Sequence, residues 1–77
     1  LFILANDPEP EVRRAVAESL PEALLGRMAD DSDWRVRWEV ARRAAPALLV
    51  ALREDTDSEV RQMVRDRLAV PREIHHG

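Results

Sequence analysis

Cysteine and lysine are both absent from the 77 residues of this chain. Without a cysteine thiol, these residues hold no disulfide, no thiolate metal site, no cysteine-ligated iron–sulfur cluster and no cysteine nucleophile. All twelve basic residues are arginines, which suit fixed, forked pairing with carboxylates better than lysines do. The formal net charge is only −3, so net charge favours neither a nucleic-acid nor a membrane partner.

Glycines and long apolar runs are scarce. Gly26 and Gly77 are the only glycines, which excludes a glycine-rich phosphate loop. The apolar run at residues 1–5 is too short for a signal-peptide core or a membrane-spanning helix. The serines and threonine share no motif with a general base. We therefore expect a cytoplasmic protein that has no catalytic activity, no cofactor, no metal site and no membrane partner.

A tandem repeat of 24 residues dominates the sequence. Seven columns agree in residue type across three copies: Leu4/Met28/Leu52, Asp7/Asp31/Asp55, Glu9/Asp33/Asp57, Val12/Val36/Val60, Arg13/Arg37/Arg61, Val16/Val40/Val64 and Leu20/Ala44/Leu68. The valines and the leucine or alanine recur at i, i+4 and i+8 in each copy. This spacing predicts a helix and not the alternation of a strand.

Each copy is predicted to contain a longer helix and a short one. The predicted N-caps are Asp7, Asp31 and Asp55, which gives longer helices near 8–20, 32–44 and 56–68. A proline follows each of these helices and is expected to end it, at Pro21, Pro46 and Pro71. The short segments at 21–28 and 46–52 span about two turns each, and the pattern does not decide between α and 3-10 geometry.

An arginine lies beside the valine stripe in every copy. In the middle copy, Arg37 falls between that stripe and a second apolar stripe that contains Trp34 and Trp38. A partly buried guanidinium needs a carboxylate partner. Asp33 lies four residues before Arg37, a spacing that recurs as Glu9–Arg13 and Asp57–Arg61, and the predicted N-cap aspartate of an adjacent repeat would supply a second carboxylate. Pairing between repeats would give an ion-pair ladder along the stack, formed by Asp7, Asp31, Asp55, Arg13, Arg37 and Arg61.

Two exposed columns reverse their charge at the middle copy. They read Glu11/Arg35/Glu59 and Glu18/Arg42/Asp66. This alternation is expected if equivalent helices lie side by side in the order of the chain, because opposite charges then meet laterally. Each such exposed pair is worth only about 0.2–1 kcal/mol, so the columns bear on register more than on stability.

The run DSDWRVR at residues 31–37, followed by Val40-Ala41 and a proline-led Leu-Leu segment, resembles the leucine-rich repeat variant family, and residues 7–28 share the pattern. The resemblance extends from Leu4 to about Pro71. It implies an all-α fold, a right-handed α-solenoid related to HEAT-type repeats in which α and 3-10 helices alternate. Some members of that family carry a cysteine-rich segment that binds an iron–sulfur cluster, and this cysteine-free chain cannot be assigned that feature. Arg65 and residues 72–73 depart from the pattern, which indicates a terminal, capping copy.

We expect a single helical-repeat domain over residues 1–77. Its predicted divisions are a partial repeat or cap at 1–6, the first repeat at 7–30, the second at 31–54, and the third repeat with a tail at 55–77. Leu1 aligns with Leu25 of the next copy, and the first residue is not methionine. A fragment of a longer array is therefore favoured over a degenerate cap.

The candidate partner-binding residues are Trp34 and Trp38, because exposed tryptophans are enriched at binding hot spots. The alternative is that each packs on an adjacent repeat or under an arginine such as Arg14. His75 and His76 are predicted to form a terminal tail and not a metal site.

These features favour a scaffold that presents a surface to another protein. The runner-up is an architectural or regulatory part of a larger iron–sulfur protein or enzyme whose chemistry lies outside these residues. Nucleic-acid binding ranks third, because acids stand beside every arginine column and counterion release needs unpaired cations.

Overall fold

The structure of the chain is a computed structural model that describes the backbone of residues 2–74 and the side chains of residues 4–69. Four α-helices and two 3-10 helices make up this part of the chain, and no strand occurs within it. In chain order they are η1 (Phe2–Asn6), α1 (Pro10–Ser19), η2 (Glu22–Met28), α2 (Trp34–Arg43), α3 (Pro46–Ala51) and α4 (Ser58–Ile74). The predicted all-α fold is confirmed.

The three longer helices lie side by side, with α2 packed between α1 and α4. Each short element packs against the long helix that follows it: η1 against α1, η2 against α2 and α3 against α4. This arrangement suits a solenoid, in which each repeat contacts only its neighbours. No helix among residues 2–74 is long and apolar enough to cross a bilayer.

The long helices begin two residues later than the sequence predicted. Pro10, Trp34 and Ser58 are their first residues, so the predicted starts at 8, 32 and 56 are wrong. The predicted N-cap aspartates instead close a turn just before each helix. The carboxylates of Asp7, Asp31 and Asp55 accept the backbone N–H two residues on, at 2.8, 2.9 and 2.9 Å. Aspartate forms such local hydrogen bonds to the backbone in turns as readily as it does at helix caps.

The capping residue is therefore the second acid of each turn. Asp33 is the N-cap of α2 and accepts the backbone N–H of Arg35 at 2.9 Å. Asp57 accepts the N–H groups of Glu59 and Val60 at 2.8 and 3.2 Å. Glu9 is the N-cap of α1 without a side-chain hydrogen bond. In the second and third copies, two acids thus serve one helix start, the first for the turn and the second for the cap.

The short elements differ between the copies. In η2 the bonding is of the 3-10 type, and the N–H of Leu24 donates to the carbonyl of Pro21 at 2.8 Å. In α3 the N–H of Leu49 donates to the carbonyl of Ala45 at 3.0 Å, which is the α pattern. Pro46 occupies the first turn of α3, where its fixed φ suits a helix, whereas Pro21 lies one position ahead of η2.

The last helix does not end before its proline. The sequence predicted a stop near residue 68, but α4 continues through Pro71 to Ile74. Proline removes one backbone hydrogen bond and normally breaks a helix interior. The third copy has Arg72 and Glu73 where the other copies have paired leucines. It therefore lacks the apolar segment whose burial would stabilise a turn back onto the stack.

The core is one continuous cluster along the stack. Its buried members are Val16, Ala17, Leu20, Leu25, Met28, Val36, Val40, Ala41, Ala44, Leu49, Leu52, Val60 and Val64. Val36 and Val60 are fully buried, as the repeat predicts for this column. Val12, the first member of the column, is only half-buried.

Candidate interaction surface

Arginine and aspartate side chains join successive repeats. Nε and Nη2 of Arg13 donate to the two carboxylate oxygens of Asp31 at 2.9 and 3.1 Å. In the next repeat, Arg37 holds Asp55 in the same way at 2.8 and 3.0 Å. The side chains of both pairs are largely buried, with 12% of Arg37 and 6% of Asp55 exposed. These bidentate bonds fix the distance and the orientation between neighbouring copies.

A third bond anchors each of these arginines to its own repeat. Nη1 donates to the backbone carbonyl six residues earlier, from Arg13 to Asp7 at 2.8 Å and from Arg37 to Asp31 at 2.7 Å. Arg61 makes the same bond to the carbonyl of Asp55 at 2.8 Å. Of the six residues proposed as a ladder, four are thus joined through their side chains. Among residues 4–69, no arginine donates to the carboxylate of Asp7, and no carboxylate accepts from Nε or Nη2 of Arg61.

The electrostatics follow from this geometry. Hydrogen bonding to Asp55 raises the pKa of Arg37. Burial alone would raise the pKa of Asp55, but hydrogen bonds from Arg37 and from the N–H of Asp57 outweigh it, and the pKa is lowered. At the start of α2, the side-chain hydrogen bonds of Arg35 lower the pKa of Asp33 to about 2. The two carboxylates therefore stay ionised at neutral pH.

A second arginine column was missed by the sequence reasoning. Nη1 of Arg43 donates to the carbonyls of Ala17 and Leu20 at the end of α1, the first at 2.9 Å. Arg67 does the same for Ala41, at 3.1 Å, and for Ala44. The last carbonyls of a helix lack intrahelical partners and carry a partial negative charge, so a guanidinium both bonds and compensates them. Only two of the three copies have arginine in this column, which hid the signal.

The two tryptophans lie along one open groove of about 320 Å³. Trp34 is 40% exposed, whereas Trp38 is half-buried and packs against the core. Arg14, Arg35 and Glu59 complete the lining. Side chains from α1, α2 and α4 thus form one apolar hollow with charges of both signs at its edge.

Two arginines at the edge of this groove make only loose contacts with Glu11. Arg14 lies 3.5 Å from Glu11, and Arg35 lies 3.7 Å from the same carboxylate. Glu11 is 65% exposed, so both contacts are weak and exchangeable. Arg35 is held more closely by Asp33 of its own helix at 2.9 Å.

One of the two alternating charge columns behaves differently from the expectation. The 3.7 Å contact between Arg35 and Glu11 joins α1 to α2, as expected for side-by-side copies. Arg42, however, pairs with Glu39 on its own helix at 2.9 Å. Glu39 is only 3% exposed, a burial that the sequence did not predict, because its equivalents are Ala15 and Met63. A nearby buried carboxylate outcompetes an exposed lateral partner.

The comparison with known protein families agrees with this architecture. The model of the leucine rich repeat variant family matches residues 10–33. Residues 10–33 are thus similar to a leucine rich repeat variant unit. They comprise α1, η2 and the turn that contains Asp31 and Asp33, and they include Arg13 of the first ion pair. The family resemblance seen in the sequence is confirmed. No curated protein and no solved structure matches the chain.

Within the part of the chain that the structure describes, no group of three or more His, Cys, Asp and Glu side chains could hold a metal ion. His75 and His76, predicted as a tail, lie outside the described residues.

Proposed function

We propose that this chain is a non-catalytic helical-repeat scaffold that binds another protein through the groove at Trp34 and Trp38. The observation that carries the proposal is a 40% exposed tryptophan beside an apolar hollow on the surface of the stack. Large, rigid aromatic side chains supply much contact area at little entropic cost, which is why tryptophan is enriched at binding hot spots.

The scaffold holds this surface in a fixed geometry. α2 carries both tryptophans and is tied to its neighbours on each side, since Asp31 just before it binds Arg13 and its own Arg37 binds Asp55. A preorganised surface loses less entropy when a partner binds. This rigidity supports a recognition role for the α2 face.

The lining also indicates the chemistry of the partner. The hollow is apolar, while the side chain of Arg14 is 37% exposed and only weakly paired with Glu11. A partner segment with an apolar or aromatic side chain next to a carboxylate would fill the hollow and exchange Glu11 for its own acid at Arg14. Arginine presents a fork that suits such a carboxylate.

Most of the arginines with assigned contacts pair within the chain, which favours a protein partner over a nucleic acid. Arg13 and Arg37 bind aspartates, and Arg43 and Arg67 bind backbone carbonyls. These cations are occupied, whereas nucleic-acid affinity requires cations that displace counterions from phosphates. Retention on heparin near physiological salt would contradict this reasoning.

The test measures how tightly two variants bind a partner protein, which is first purified by affinity capture on the wild-type chain. Trp34→Ala should weaken binding measured by calorimetry by about 30-fold or more, because a hot-spot residue contributes about 2 kcal/mol or more. Val50→Ala is the matched control, since Val50 is 48% exposed on α3 outside the groove. Equal affinity of both variants and wild type would remove the groove as the binding site.

A further inference from the structure

The α4 edge of the groove carries a carboxylate without a cation. Glu59 is exposed in the first turn of α4 and lines the groove together with Trp34. Among residues 4–69, no side chain donates to the carboxylate of Glu59 and no arginine forms an ion pair with it. A carboxylate that is unpaired at the rim of an apolar hollow is complementary to a cation on a bound segment.

The equivalent glutamate of the first copy shows what this column binds. Glu11 is contacted by Arg14 of its own helix at 3.5 Å and by Arg35 of the next helix at 3.7 Å. In the third copy, Gln62 stands at the position of Arg14, and a glutamine carries no positive charge. Glu59 therefore lacks the arginine that its equivalent has on its own helix, and a guanidinium or ammonium group from a partner can take that place.

The groove is electrostatically polarised across the stack. On the α1 side, Arg14 is held only by the exposed Glu11. Arg35 also lines the groove, but its charge is largely compensated by Asp33 at 2.9 Å. The lining thus offers a loosely held cation from α1 and an unpaired anion from α4. The indole rings of α2 lie between the two, because α2 is packed between α1 and α4.

The exposed indole of Trp34 adds a second attraction for a cation. The face of an indole ring attracts a guanidinium or ammonium group within about 6 Å of the ring centre. Trp34 is 40% exposed, so a bound segment has access to its ring. A cation that reaches the carboxylate of Glu59 across this ring is attracted by both groups, whereas an acid at the same place would be repelled by Glu59.

The spacing of the two edges suits an extended segment. Packed helix axes lie about 8–10 Å apart, so α1 and α4 lie at most about 20 Å apart across α2. Arg14 and Glu59 both reach inward to the groove, which brings their charged groups closer than the axes. In an extended segment, side chains four residues apart lie on the same face about 13 Å apart, with a third side chain midway between them. Such a segment presents an acid, an apolar side chain and a base in one row.

We propose that the segment bound in the groove is dipolar. Its apolar or aromatic side chain lies against the tryptophans, an acid two residues to one side binds Arg14, and a base two residues to the other side binds Glu59 across the ring of Trp34. This inference rests on the proposed function, to which it adds the basic residue and the direction in which the segment crosses the helices. A uniformly acidic segment would meet Glu59, and a uniformly basic one would meet Arg14.

Selection from a random peptide library displayed on phage, with the 77-residue chain as the bait, tests this pattern. Peptides that bind wild type and not Trp34→Ala should carry an acid and a base on opposite sides of an apolar residue. The same selection on Glu59→Gln should lose the preference for the base, and selection on Arg14→Gln should lose the preference for the acid. Glu22→Gln and Arg53→Gln change exposed charges outside the groove and should select the same peptides as wild type.

Calorimetry with one selected peptide, made synthetically, measures the contact directly. Replacement of its base by glutamine should weaken binding to wild type about fivefold or more, the combined contribution of an exposed ion pair and a cation–π contact. The same replacement should not weaken binding to Glu59→Gln. Added salt should reduce the difference, because exposed charges are screened. Circular dichroism checks that each variant remains folded.

Two results separate this inference from the proposed function. Peptides that require Trp34 but carry no base overturn the inference and leave the groove as a binding site. The same holds if the base contributes equally to binding of wild type and of Glu59→Gln. Failure to select any peptide that distinguishes wild type from Trp34→Ala overturns both.

Discussion

Replacement of Arg37 by methionine should destabilise the stack strongly. The substitution keeps an apolar stem but removes the two bonds to Asp55 and the bond to the carbonyl of Asp31. It leaves the Asp55 carboxylate, only 6% exposed, without its cation. Breaking a buried pair from one side costs about 3–5 kcal/mol, and the slight exposure of this pair places the expected loss near about 3 kcal/mol.

A loss of this size is large for so small a domain. At roughly 0.05–0.15 kcal/mol per residue, a chain of 77 residues has a free energy of unfolding of roughly 4–12 kcal/mol. A loss of about 3 kcal/mol should lower the melting temperature by roughly 12–24 °C. Urea unfolding followed by far-ultraviolet circular dichroism measures the free energy, and a thermal scan measures the melting temperature.

Arg61→Met provides the internal control for this measurement. Arg61 makes the same bond to a backbone carbonyl at 2.8 Å, but no carboxylate among residues 4–69 pairs with it. Its loss should cost only about 1 kcal/mol, the typical contribution of one hydrogen bond. The difference between the two variants isolates the contact with Asp55. Equal losses would refute a stabilising role for the ion pair.

Three further predictions concern other contacts. Because the pKa of Asp33 is lowered to about 2, its contribution to stability should be complete above about pH 4 and be lost as the pH falls through 2; an acid titration of Asp33→Asn should lack this loss. Arg43→Met should lower the free energy of unfolding in urea by about 1–3 kcal/mol, since two carbonyls at the end of α1 lose their donor. Glu39→Met introduces into the second copy the methionine that the third copy has at the equivalent position. This variant should be neutral or stabilising in the same assay, because the partner of Glu39, Arg42, is 42% exposed and can hydrate. A loss above about 2 kcal/mol would contradict that reasoning.

The helix content and the buried columns follow from the sequence because local periodicity determines them. Valines four residues apart can meet one core only on a helix, so Val36 and Val60 are buried as predicted. The starts of the helices were misplaced because aspartate serves both a turn and a cap, and each repeat carries two acids two residues apart. Their roles separate only when the N–H groups that they accept are known, as for Asp31 and Asp33.

The candidate site depends more on tertiary geometry. The sequence predicted that Arg37 pairs both with Asp33 and with an aspartate of an adjacent repeat, and the first pairing is wrong, because Asp33 binds Arg35. The structure gives Arg37 the carboxylate of Asp55, which lies 18 residues later in the chain. Burial of Glu39 was not predictable from its column, where the other copies have alanine and methionine. Its cause is the position of α2 between two neighbours.

The two arginine columns act in opposite directions along the stack, and together they explain the repeat period. Arg37 reaches forward to the turn before α4, while Arg43 reaches back to the last carbonyls of α1. The forward separation is 18 residues both for Arg13–Asp31 and for Arg37–Asp55. The segments that the two pairs span differ in two ways. In the second copy, the connector between the long helix and the proline is one residue longer, and the short element has six residues in α3 against seven in η2. The two changes cancel, so the geometry of the ion pair is kept while the conformation of the short element varies. The ladder therefore constrains the period of 24 residues more tightly than the secondary structure of the short elements does.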